Sequence, residues 1–87
     1  MSTEDLIRQR LAALEPETFT LEDESAQHRG HAGAASGGGH FQLTIVSPKF
    51  RNLSTLARHR LVYESMGELM QREIHALSIT ALTPEEL

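Results

Sequence analysis

Residues Ala26 to Gly39 read AQHRGHAGAASGGG and hold five of the chain's six glycines. Almost nothing in this stretch can pack into a core. On either side of it the sequence alternates. From Thr18 to Glu24, Phe19 and Leu21 fall on one face and Thr18, Thr20 and Glu22 on the other. From Phe41 to Ser47, Phe41, Leu43 and Ile45 share a face. Period-two alternation is the signature of a half-buried strand. The three segments together predict an antiparallel hairpin with a flexible Gly-rich loop over residues 26–39, long for a hairpin connection.

Helical patterns flank the hairpin. Ser2 is placed to cap a first helix, with Asp5 in the acidic position of a capping box. Ile7, Leu11 and Leu14 follow at spacings of four and three, and Pro16 ends the helix. After Pro48, Ser54 is a second N-cap candidate, ahead of Leu56, His59, Arg60 and Tyr63. Ser65 and Glu68 read as another capping box around Gly67, which predicts two helices, about 54–63 and 66–74. Met66, Leu69, Met70 and Ile74 would form the stripe of the second. Ala76 to Leu82 reads as a last strand, and Thr83, Pro84 and Glu86 as a final helical turn with proline at its first position. The predicted class is α+β: a single domain over 1–87 in the order α-β-β-α-α-β, its three-stranded sheet covered by helices on one face.

Size and composition narrow the function. The chain has 87 residues, and a domain near this size buries only about 60–65% of its unfolded surface. One thin core fits that figure; a deep catalytic cleft between domains does not. The chain has no cysteine, which excludes a disulfide framework, a thiol nucleophile and any zinc or iron–sulfur site built on its own thiolates. Any soft-metal chemistry must use imidazole from His28, His31, His40, His59 or His75, with sulfur supplied from elsewhere. The serines Ser47, Ser54 and Ser65 lack a nucleophile-elbow context, and no catalytic set emerges. No apolar run approaches membrane-spanning length, and the first residues are acidic where a secretory signal is basic. The expectation is a cytoplasmic, non-enzymatic protein with no membrane contact.

The formal charge is −4, but it is unevenly spread. Residues 1–26 carry seven acids against Arg8 and Arg10, whereas residues 48–62 carry Lys49, Arg51, Arg58 and Arg60 and no acid. A basic helix followed by a short break and a second helix suggests a helix-turn-helix, with those four side chains as phosphate contacts. An ordinary solvated face gives the same pattern. His28-x-x-His31 on the Gly-rich segment is compatible with a ligand pair for a partner's metal, or with a solvated connection. His75, between a helix and a strand, reads either as a metal ligand or as an imidazole set against a helix C-terminus.

Three separated motifs resemble the BolA family. Asp23-Glu24-Ser25, His28, the Gly-rich loop and His40-Phe41 resemble the first part of its pattern. Val46-Ser47-x-x-Phe50 with Arg58-His59-Arg60-x-Val62-Tyr63 resembles the central signature, and Ile74-His75-Ala76-Leu77-Ser78-Ile79 the last. The likeness runs from about residue 4 to the end. It implies a type II KH-like fold, without the GXXG loop of nucleic-acid-binding KH domains. It also implies a partnership with a monothiol glutaredoxin and a shared [2Fe–2S] cluster, which the isolated chain would not bind. The family's histidine ligand maps onto His75, and the loop ligand onto His28, with His31 near enough to substitute. Glutaredoxin cysteine and glutathione would supply two sulfurs and this chain two nitrogens, and imidazole in place of thiolate generally raises the reduction potential. Some family members are DNA-binding, stress-responsive transcriptional regulators, which would make promoter DNA a second partner. Alone, the chain is expected to be a monomer or weak homodimer.

Overall fold

Ser2 accepts a hydrogen bond from the Asp5 amide at 3.1 Å, and its own N–H donates to Asp5 Oδ2 at 3.2 Å. This reciprocal pair starts α1 (Thr3–Leu11) as predicted and holds the Asp5 carboxyl below its ordinary range. The computed structural model describes residues 2–24, 39–72 and 74–87, with His75 described by its backbone alone. α1 tightens into a 3₁₀ turn over Ala12–Leu14 and ends at Glu15, whose φ of 49° is left-handed, just before Pro16.

β1 (Thr18–Asp23) and β2 (Gly39–Val46) pair antiparallel, from Thr18 opposite Val46 to Asp23 opposite Phe41. That is the predicted hairpin. The expected flexible loop over 26–39 lies outside the described residues except at Gly39. That residue instead opens β2, because it pairs with Ile74. A Cβ there would lie 2.8 Å from Cζ of the buried Phe41 ring, so the close approach requires glycine.

A 3₁₀ turn over Pro48–Phe50 follows, then α2 (Thr55–Met66), the single turn α3 (Leu69–Arg72), β3 (Ile74–Leu82) and a closing 3₁₀ turn over Pro84–Glu86. The helix break differs from the prediction. Ser65 does not cap a second helix; its hydroxyl donates to the Leu61 carbonyl within α2 at 2.9 Å. α2 therefore runs on to Met66 and stops at Gly67, where φ is 58°. Ile74, expected on a helix, begins β3.

The sheet has the order β1-β2-β3, with β3 parallel to β2. The helices supply the crossover that a parallel pair needs. Ile7, Leu11, Val62, Met66 and Leu69 pack with Phe41, Leu43, Ile45 and Ile74 on one face of the sheet. Thr18, Thr20, Glu22, Gln42, Ser78 and Thr80 are exposed on the other. The α+β architecture with helices on one face is as read from the sequence. Buried Ser47 bolts its base: the hydroxyl donates to the Leu14 carbonyl at 2.5 Å and accepts from the Lys49 amide at 3.1 Å. Among the described residues no helix is long and apolar enough to cross a membrane.

Candidate functional site

One end of the sheet gathers three of the sequence's signals. β2 and β3 begin there side by side, Gly39 opposite Ile74 and His40 opposite Ala76. The register skips one residue between these pairs, and that residue is His75. A bulge of this kind bends the strand locally and interrupts the ladder at one residue. The Glu24 amide donates to the His40 carbonyl at 2.7 Å, so the hairpin is closed at the same end. The connection 25–38 therefore leaves and re-enters the fold beside the start of β3. His28 and His31 belong to that connection and lie outside the described residues. His40 is half-buried, and its Nε2 atom is buried.

Among the described residues no group of three or more His, Cys, Asp or Glu side chains is arranged to hold a metal ion. The expected ligands His28 and His31, and the side chain of His75, lie outside what the structure describes.

The basic stretch is organised differently from a free phosphate-binding face. Lys49 reaches Glu15 at 3.4 Å, with both side chains well exposed, a geometry that contributes little to stability. Arg51 grips Glu85 with two bonds, at 2.8 and 2.5 Å. Its guanidinium draws the Glu85 carboxyl below the ordinary carboxylate range, and Glu85 raises Arg51 in turn. Arg58 is engaged on two sides. Its Nε donates to the Leu53 carbonyl and Nη1 to the Ala81 carbonyl, each at 3.0 Å, while the same fork holds Glu86 at 2.6 and 3.2 Å. The Thr83 amide adds a bond to Glu86 at 2.7 Å. Arg58 and that amide together pull the Glu86 carboxyl down to about 2. Arg60 is exposed on α2 and has no ion pair among the described residues.

Three of the four predicted phosphate contacts thus already hold carboxylates, and the second helix of the expected helix-turn-helix is one turn long. Sequence reasoning misses Glu85 and Glu86 as partners. They stand 34 and 28 residues from their arginines, and no local pattern links the two. On α2, His59 is half-buried and Tyr63 is 41% exposed.

The family model described as BolA-like protein matches residues 11–86. The chain is 43% identical to mouse BolA-like protein 1 over 95% of its own length and 59% of the relative's. It is 41% identical to the chloroplastic/mitochondrial SufE-like protein 1 of Arabidopsis thaliana, covering 93% of this chain and 24% of that one. With the DNA-binding transcriptional regulator BolA of Haemophilus influenzae it shares 34% identity over 99% of this chain and 82% of the relative. It spans a quarter to three fifths of the first two of these relatives. Among solved structures, the BolA domain of SufE1 from Arabidopsis thaliana superposes with a TM-score of 0.87 at 41% identity, covering 100% of this chain and 98% of that one. The motifs, the fold and these likenesses agree: the chain belongs to the BolA-like protein family.

Proposed function

We propose that the chain is a non-enzymatic partner of a monothiol glutaredoxin and completes a shared [2Fe–2S] cluster with imidazole nitrogens, in iron–sulfur trafficking or in iron or stress regulation. The observation that supports this most is topological. Parallel pairing of β3 with β2 brings His75, in its bulge, to the end of the sheet where the segment carrying His28 and His31 is rooted. His75 is the ligand from the rigid frame, and His28, with His31 as substitute, is the ligand from the connection. The chain's lack of cysteine leaves the sulfur ligands to glutaredoxin and glutathione. The cluster, when bound, supplies the redox and iron-carrying chemistry; this chain supplies two nitrogens and a docking frame.

Co-expression with a monothiol glutaredoxin tests the assignment. The visible spectrum of the complex is expected to change in His75→Ala and in the double variant His28→Ala/His31→Ala. Unchanged spectra in both would refute the ligand assignment.

A second reading, a transcriptional regulator that binds DNA, is favoured by relatives of that name at 34% and 36% identity. In this fold it requires Arg51 and Arg58 to exchange carboxylate partners for phosphates. Glu85→Gln/Glu86→Gln is then expected to raise affinity for duplex DNA and to steepen its salt dependence by about 0.9 for each further phosphate neutralised. Equal affinity and slope in wild type and variant would count against this surface.

A further inference from the structure

The two edges of the sheet differ in chemistry. β1 carries Glu22 and Asp23 and is bracketed by Glu17 and Glu24, so two copies meeting along it would bring acids together. β3 has no Lys, Arg, Asp, Glu or proline anywhere from Ile74 to Leu82. A long edge without such guards is a template for strand pairing. The Ser47 amide donates to the Leu82 carbonyl at 2.9 Å, which turns Leu82 toward β2. Strand alternation then turns the N–H and C=O groups of Leu77, Ile79 and Ala81 outward. Among the described residues one side chain bonds to that edge: Arg58, on the Ala81 carbonyl. That oxygen keeps a second lone pair.

The strand also reads nearly alike in both directions about Ile79: Leu77-Ser78-Ile79-Thr80-Ala81. An antiparallel copy centred there sets Ile79 against Ile79, Ser78 against Thr80 and Leu77 against Ala81. Leu77, Ile79 and Ala81 are the half-buried margin of the apolar face, while Ser78 and Thr80 are exposed on the polar one. Pairing in this register continues both faces, joining apolar to apolar and hydroxyl to hydroxyl.

We propose that β3 is a self-association edge, at which a second copy of this chain pairs antiparallel about Ile79 into one continuous sheet. A single strand pair buries less than the roughly 1,000 Å² of a stable interface. The dimer is therefore weak and forms at concentrations on the order of 0.1–1 mM.

Sedimentation equilibrium of the full chain up to about 1 mM reads the association directly. Ser78→Lys/Thr80→Lys puts like charges opposite each other twice and is expected to raise the dimer's dissociation constant about tenfold. Ser78→Lys/Thr80→Glu puts opposite charges in the same places and is expected to restore it. Both positions are exposed, and their β2 partners Gln42 and Thr44 are uncharged, so circular dichroism should show an intact fold in each variant. Hydrogen exchange at the Leu77 and Ile79 amides should slow as wild-type concentration rises. A wild type that stays monomeric overturns the proposal. So does a dimer to which both double variants respond alike, which would show that copies meet on another surface or in another register.

Discussion

Phe50→Ala is expected to remove a large share of this chain's folding free energy. Phe50 is fully buried, the largest side chain to be so among the described residues. It sits on the 3₁₀ turn between β2 and α2 and packs into the core shared by α1, α2 and the sheet. Truncating a buried phenylalanine costs about 3–5 kcal/mol in lost transfer energy and cavity. A chain of this length is held by about 4–13 kcal/mol in total. Urea denaturation followed by circular dichroism measures the loss, with Leu56→Ala as control. Leu56 is 63% exposed, and its truncation is expected to stay within about 0.5 kcal/mol. A Phe50→Ala midpoint close to that control would show that the turn does not anchor the core.

Arg58→Ala is expected to have the next largest effect. The side chain is 13% exposed, and its guanidinium ties together the approach to α2, the end of β3 and the acidic C-terminal turn. Losing the charged bonds to the Leu53 and Ala81 carbonyls costs about 1.5–3 kcal/mol. Arg58→Lys should recover only part of this, because an ammonium is a compact charge without the planar fork. The Arg58–Glu86 pair adds a pH signature. The Glu86 carboxyl lies at about 2 rather than the ordinary 4.5, so the folded state holds its proton less tightly than the unfolded chain. Its contribution is fully present above pH 4.5 and is lost as pH falls from there through about 2. Wild type should therefore destabilise across that window, and Glu86→Gln should fall less steeply. Asp5 and Glu85 are lowered as well, so the variant's curve keeps some slope. Parallel curves for the two proteins would show that the pair carries no acid linkage.

Much of the frame is legible in the sequence because local chemistry dictates it. Ser2 and Asp5 announce α1, alternation announces both strands of the hairpin, and Ala76 to Leu82 reads as β3, which in fact starts two residues earlier. The break between α2 and α3 is not legible in the same way. A serine three residues before a glutamate also suits the interior of a helix, where Ser65 donates back to Leu61 instead of capping. The fate of the basic stretch depends on the fold. Arg51 and Arg58 meet Glu85 and Glu86 only after β3 has returned parallel to β2. His75 is legible as a candidate ligand, but its place in a bulge is a property of register, which one strand does not reveal. The motifs turn out to serve two purposes. Val46, Ser47, Phe50, Arg58 and Val62 build and fasten the frame, and the proposed function gives His75 the metal-binding purpose.

The bond between the Glu24 amide and the His40 carbonyl has an evolutionary consequence. It pins both roots of the 25–38 connection to the ladder, so a change in the number of residues between them leaves every other pairing untouched. Closing a loop costs only about 0.6 kcal/mol for each doubling of its length. Insertions and deletions there are nearly neutral for folding, yet they alter how far an imidazole on the segment reaches from His75. Under the proposed function, the spacing and identity of the second ligand could thus change while the scaffold stays constant.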